Sequence, residues 1–192
     1  MRQVVIYDTT LRDGAQGEGI SFSVADKLEI VGLLDDLGVD YIEGGWPGSN
    51  AKDLAFFSEL KSFPLRHSRV VAFTSTRRKG QKIEEDEHMQ TVLNTGLRHC
   101  AVVGKTWDYH VEVALRTDLE ENLRMIGDTI AFLKQRGIEA IFDAEHFFDG
   151  YKHNPTYALK CLETAVNAGA DWLVLCDTNG GSLPSEIASV MR

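Results

Sequence analysis

Only three cysteines occur in the 192 residues, Cys100, Cys161 and Cys176. The number is odd and no C-x-x-C spacing occurs, so neither a disulfide framework nor a zinc knuckle is indicated. A reducing cytoplasm is the simplest setting. No apolar run approaches the roughly 18 residues that a membrane span needs. The opening MRQVVIYD runs straight into a strand-like segment, without the h-region of a signal peptide. Positive charge is short as well: 20 Lys and Arg stand against 29 Asp and Glu, a formal net charge of −9. Nucleic acid and anionic membrane surfaces both need a basic footprint, which this balance argues against. A small anionic substrate, which needs only a few local cations, stays open. A dinucleotide fingerprint is missing too: DGAQGEGIS has the wrong spacing for G-x-G-x-x-G and reads as a loop shaped by glycines.

What is present is a repeat of strand and helix. Hydrophobic residues make up 43% of the chain, enough for a sizeable core in one soluble domain. Strands are expected at VVIYD (4–8), DYIEG (40–44), RVVAFTS (69–75), HCAVVGK (99–105), EAIFDAE (139–145) and DWLVLCDT (171–178). They are nearly continuous apolar runs, as for parallel strands buried on both faces. Amphipathic helices lie between them. One is expected between Ser23 as N-cap and Gly38, one between Thr117 or Asp118 and Gly137, and one from Asn154 and Pro155 to Gly169. The phrases LGVDYIEGG, TGLRHCAVVGK, RGIEAIFDAE and AGADWLVLCDT share one plan, a glycine and then a buried strand with a polar end. This predicts an α/β fold of right-handed βαβ units, a (β/α)8 TIM barrel and not a Rossmann sheet. At about 32 residues per unit, eight units need about 256 residues. Residues 1–192 are therefore expected to form a partial barrel of about six units, ending inside the sixth helix at SEIASVMR.

In such a barrel, chemistry sits at the C-terminal ends of the strands. Those ends carry Asp8 to Gln16, Glu43, Thr74 to Arg78, Lys105, Asp143 with Glu145 and His146, and Asp177 to Asn179. Carboxylates, arginine and hydroxyls converging in this way suit a hard divalent cation and an oxyacid. That pattern supports an enzyme without specifying its reaction.

DTTLRDGAQ (8–16) resembles the first-strand signature of the metal-dependent barrels that condense or cleave acyl-CoA. YIEGGWPGSN (41–50), STRRKG (75–80), GKTWDYHV (104–111), DAEHFFDGYKHNP (143–155) and CDTNGGSLP (176–184) narrow the resemblance to the citramalate synthase branch of the isopropylmalate and homocitrate synthase-like family. The resemblance covers essentially the whole chain. It implies condensation of acetyl-CoA with pyruvate and hydrolysis of the thioester to citramalate and CoA, a step towards isoleucine. It also implies Mg²⁺ or Mn²⁺, a homodimer at full length, and a cytoplasmic enzyme. By position, Asp13 would ligate the metal and Arg12 would polarise the ketone and stabilise the alkoxide. Thr178 would bind the keto-acid carboxylate, Gln16 would line the pocket, and Glu145 would sit where the acetyl methyl loses its proton. The family's other metal ligands form a His-x-His pair on a seventh strand. None of His67, His88, His99, His110, His146 and His153 makes that pattern, so these residues alone are expected to be inactive. The alternatives are a 2-isopropylmalate or homocitrate synthase, a lyase of the same superfamily, or a non-catalytic fragment that needs a complementing chain.

Each residue also has a plainer reading. Arg12 and Asp13 could form a loop salt bridge, and Glu43 could hold Arg12 or serve as a rim ion-pair partner. Asp143 and Glu145 share one face of their strand, where two unpaired carboxylates would be costly. By alternation His146 is expected to point the other way, into the helix layer, as a satisfied core histidine. Asp177 could cap a loop. Arg77, Arg78, Lys79 and Lys82 form a basic cluster, read either as a receiver of CoA phosphates or as a solvated loop. EEDEH (84–88) reads as a solvated helix start, Trp46, Trp107 and Trp172 as packing residues, and the cysteines as small buried residues.

Overall fold

The computed structural model describes residues 4–192 and comprises two compact units. The first three residues of the opening MRQVVIYD lie outside the described residues. The first unit runs through Thr74 and includes Glu84–Ala101; the second is Ser75–Ile83 with Val102–Arg192.

In the first unit, β1 (Tyr7–Asp8) pairs in parallel with β2 (Tyr41–Gly45), and β2 pairs in parallel with β3 (Arg69–Ser75). Helix α1 (Val24–Leu37) links the first two strands. Ser23 caps it as expected: its hydroxyl accepts from the Asp26 N–H at 3.1 Å, while Asp26 accepts from the Ser23 N–H at 2.7 Å. Gly38 ends the helix at φ 85°, a left-handed conformation that glycine takes at no steric cost. Lys27, Val31 and Asp35, each four residues from the next, are its buried residues. A cation and an anion thus sit on the core face. Helix α2 (Ala51–Leu60) follows β2 and contributes Phe56 and Phe57, whose rings lie 5.1 Å apart in the core. Helix α3 (Glu87–Thr95) starts at Asp86, and β4 (His99–Lys105) begins here and continues into the second unit.

In the second unit, β5 (Glu139–Glu145) pairs in parallel with β6 (Trp172–Leu175). Helix α4 (Asp108–His110) widens into a π turn over Val111–Leu115. Helix α5 (Leu119–Gln135) is capped by Asp118, and buries Leu123, Ile126, Ile130 and Leu133 at helical spacing. Helices α6 (Phe147–His153) and α7 (Pro155–Asn167) come next, with Asn154 capping α7 and Pro155 in its first turn. Helix α8 (Pro184–Val190) is the last. No helix among the described residues is long and apolar enough to cross a membrane.

β3, β4 and β5 have the bounds the sequence predicts, and β2 is shifted by one residue. The first and last strands are shorter than expected. Val4 and Ile6 are exposed, and the Ile6 N–H goes to the Asp40 carboxylate at 2.9 Å instead of to a ladder. β6 stops at Leu175 because Asp177 folds the chain back, accepting from the Ser182 N–H at 3.1 Å and the Ser182 hydroxyl at 3.0 Å. Helices α4 and α6 were not foreseen. A π turn and a two-turn helix are too short or too irregular to print an apolar period.

Asp35 joins α1 to the approach of β3. Its carboxylate accepts from the backbone N–H groups of Ser68 at 2.6 Å, Arg66 at 2.9 Å and His67 at 2.9 Å. Burial alone would push this carboxyl up, but the three donors outweigh it and hold it down at about 2. The folded value lies below the unfolded one, so the contribution is complete above the usual carboxylate range and fades as pH falls towards 2. Asp35→Ala is expected to cost about 1–3 kcal/mol at neutral pH. Urea unfolding should show that deficit narrowing in acid; a deficit independent of pH would contradict the assignment.

Candidate active site

The first unit builds a site around Arg12. After β1 the chain turns tightly, with Thr9 O accepting from the N–H groups of Arg12, Asp13 and Gly14 at 3.2, 2.9 and 3.1 Å. Asp8 locks the turn through the Thr10 N–H at 2.9 Å and the Thr10 hydroxyl at 3.0 Å. Arg12 then points back to β2. Its Nε donates to Glu43 Oε1, a terminal nitrogen donates to Asp13 Oδ1 at 3.0 Å, and the guanidinium lies 3.9 Å from the Phe73 ring centre. Glu43 is fully buried and also accepts from the Tyr7 hydroxyl at 2.5 Å. Of its two sequence readings, the one that holds Arg12 is observed. Asp13, by contrast, is 63% exposed.

Beside this cluster is a cavity of about 180 Å³, lined among others by Arg12, Gln16, Lys27, Trp46, Asn50 and Asp53. Arg12 and Gln16 are thus brought together on one wall. Lys27 and Asp53 form a buried ion pair at 2.5 Å, and Lys27 also donates to Gly44 O at 2.9 Å. Asp53 accepts the Trp46 N–H at 2.9 Å. The close fit explains Gly45: a Cβ there would lie 2.7 Å from the Asp53 carboxylate, and its φ of 147° suits glycine alone. The register shift between Glu43 and Gly45 lets β2 bury the Glu43 side chain and still bring this backbone to Lys27 and Asp53.

The second unit carries Glu145 and Thr178. Glu145, at the end of β5, is ion-paired with Lys105 at the end of β4, and each is about a quarter exposed. The Glu145 carbonyl accepts from the Thr106 hydroxyl at 2.8 Å. Asp143 is buried in the same strand. Thr178 accepts the His146 N–H at 2.9 Å through its hydroxyl oxygen, which leaves the hydroxyl hydrogen to donate elsewhere. Asp177 caps its loop, one of the readings its position allowed. Cys100 and Cys161 are buried and Cys176 is half-buried, and burial pushes the Cys161 thiol up to about 12, so it is no nucleophile at neutral pH.

Four expectations need correction. His146 is not a strand residue pointing into a helix layer: it sits at φ 52°, ψ 34°, left-handed, so strand alternation no longer applies. The basic cluster is not uniformly solvated either. Arg77 is buried, donating to Glu121 at 2.8 Å and Asp128 at 2.8 Å. Lys79 donates to Arg116 O at 2.6 Å, while Arg78 and Lys82 are exposed. Trp46 and Trp107 pack against aromatic neighbours, but Trp172 is 44% exposed. EEDEH is only partly a solvated start, since Asp86 is the buried N-cap of α3. Sequence reasoning did not assign roles to Tyr7, Phe73, Lys27 with Asp53, or Lys105. A lysine on the buried stripe of α1 was the one legible signal among them.

The residues present do not complete a metal site. Asp13 is a single exposed carboxylate already engaged by Arg12, and among the described residues no group of three His, Cys, Asp or Glu could hold an ion.

Burial pushes the Glu43 carboxyl above its ordinary range, although Arg12 and Tyr7 oppose the shift. The folded value therefore exceeds the unfolded one of 4.5, and ionised Glu43 costs stability as pH rises from there. The stability of Glu43→Gln relative to wild type is therefore expected to shift in the variant's favour as pH rises above 4.5. Urea unfolding across that range checks it; a constant difference would contradict it.

Comparison with known proteins places these geometries in a family. The chain is 56% identical over 185 residues to the (R)-citramalate synthase of Synechocystis, matching 96% of this chain and 34% of that protein. It is 53% identical to the enzyme of that name from Aquifex aeolicus, over 99% of this chain and 36% of that protein. The 2-isopropylmalate synthase of Sulfolobus acidocaldarius is more distant, at 31% over 93% of this chain and 44% of that protein. The chain thus spans about a third of the length of the citramalate synthases it matches. Among solved structures, the hydroxymethylglutaryl-CoA lyase of Pseudomonas aeruginosa superposes with a TM-score of 0.79 at 18% identity, over 98% of this chain and 62% of that one. This likeness bears on the fold alone, and fits a (β/α)8 barrel of which these residues supply six strands. The HMGL-like family model matches residues 3–192, and the chain belongs to the HMGL-like family.

Proposed function

We propose that this chain is the N-terminal part of an acyltransferase that condenses acetyl-CoA with pyruvate and hydrolyses the thioester, releasing (R)-citramalate and CoA. The observation that carries the reading is the gap in identity, 49–56% to five (R)-citramalate synthases against 29–31% to three 2-isopropylmalate synthases. A homodimer in the cytoplasm is part of the proposal.

Glu145 takes a proton from the acetyl methyl group, and its ion pair with Lys105 holds the carboxylate at the end of β5. The resulting enolate attacks the ketone carbon of pyruvate, and negative charge moves to the ketone oxygen. Arg12 stabilises that charge. Its Nε is held by Glu43 and its plane rests on Phe73, so the orientation is set before the substrate binds. The free hydrogen of the Thr178 hydroxyl donates to the pyruvate carboxylate, and Gln16 lines the pocket. Asp13 is our proposed ligand for Mg²⁺ or Mn²⁺, one of a set these residues do not complete, and no step here runs through the ion. We therefore expect no turnover from residues 1–192 alone.

The full-length protein should release CoA with pyruvate in preference to 2-oxoisovalerate and 2-oxoglutarate. A preference for either of the others would overturn the pyruvate assignment. Arg12→Lys loses both the Nε donor to Glu43 and the flat face on Phe73. It is expected to lower kcat by roughly 10²–10³-fold, the usual cost of an oxyanion donor. Steady-state release of CoA, followed with a thiol reagent, checks both.

A further inference from the structure

His146 combines three observations that its expected role as a packing residue does not explain. It is one of two non-glycine residues with positive φ among the described residues, and its strain lies directly after Glu145. Strain of this kind costs of order 1–3 kcal/mol and persists only where its surroundings impose it. The Phe147 N–H donates to Cys176 O at 3.1 Å and the His146 N–H donates to Thr178 at 2.9 Å, fixing the backbone on both sides of the ring.

The second observation is the orientation of the ring. His146 Nδ1 lies 3.0 Å from Asp149 Oδ2, which also accepts from Asn179 Nδ2 at 3.0 Å. A carboxylate only accepts, so Nδ1 carries the hydrogen, and in the neutral ring the lone pair is on Nε2. Nε2 makes no hydrogen bond among the described residues and is not among their sealed, unpartnered atoms. The ring is held by a carboxylate that is itself held by an amide.

The third observation is the surroundings. The His110 ring stands edge-on at 4.5 Å and Trp107 lies 6.0 Å away. Burial, then the charges of His146 and Lys105, push His110 below its ordinary value. Asp149 on α6 pairs with the His146 ring, and the charges that act on the neighbouring His110 are those of His146, Lys105, Glu145 and Asp149.

We propose that His146, oriented by Asp149, is the general base and then the general acid of thioester hydrolysis, a role separate from that of Glu145 in the condensation. This inference rests on the proposed synthase reaction. A water oxygen attacks the acyl carbon of the condensed thioester while His146 Nε2 takes its proton. The tetrahedral intermediate collapses, the C–S bond breaks, and the departing thiolate takes that proton from the imidazolium. The products are the carboxylic acid and the CoA thiol.

The test uses the full-length protein carrying His146→Asn, since asparagine tolerates the left-handed backbone. Single turnover with acetyl-CoA and pyruvate is quenched and the thioester adduct measured by mass spectrometry. The expected result is adduct formation within about threefold of wild type, accumulation of that adduct, and CoA release slowed roughly 10²–10⁴-fold. Asp149→Asn should show the same pattern with a smaller defect. Equal loss of both steps, or unchanged CoA release, would overturn the assignment while leaving the synthase reading intact. A wild-type protein that forms no adduct with pyruvate would overturn that reading, and the hydrolytic role with it.

Discussion

A fully buried carboxylate, Glu43, sets the terms for the first unit. An isolated charge at that depth would cost many kcal/mol, and burial does push its proton affinity up. Arg12 and Tyr7 offset the cost, and in doing so Arg12 loses its freedom: Nε is committed to Glu43 and its plane to Phe73. A guanidinium on an unanchored loop would have to be ordered each time substrate arrived. Here the ordering is done during folding, at the expense of a carboxylate in the core. Removing one partner of such a pair typically costs about 3–5 kcal/mol, because the other is left buried and uncompensated.

The same logic recurs at Lys27 and Asp53, a second buried pair in the same unit, which braces the C-terminal end of β2 through Gly44 O and the Trp46 N–H. Arg12, Lys27 and Asp53 line one cavity. In the second unit the paired groups, Lys105 with Glu145 and His146 with Asp149, are less deeply buried.

Much of this was legible in the sequence. The limits of β3, β4 and β5 follow from apolar runs closed by polar residues, and Ser23, Asp118 and Asn154 announce their helices because their side chains bond the first free N–H groups. Arg12 and Gln16 line one cavity because they fall in one short loop. Partners that are distant in sequence were not legible: Phe73 under Arg12 lies 61 positions away, and Lys105 is 40 from Glu145. Nothing local marks such contacts. His146 was misread because alternation was carried one residue past the end of β5, where the backbone turns left-handed. Arg77 was misread because a run of basic residues gives no sign of the Glu121 and Asp128 carboxylates that bury one of them.

The central claim is that Glu43 acts only through Arg12. A double-mutant cycle on kcat/KM in the full-length protein, with Arg12→Met, Glu43→Gln and the pair, tests it most directly. If Glu43 only positions Arg12, the double variant will be no slower than Arg12→Met alone. Additive losses would contradict the account and give Glu43 a role of its own.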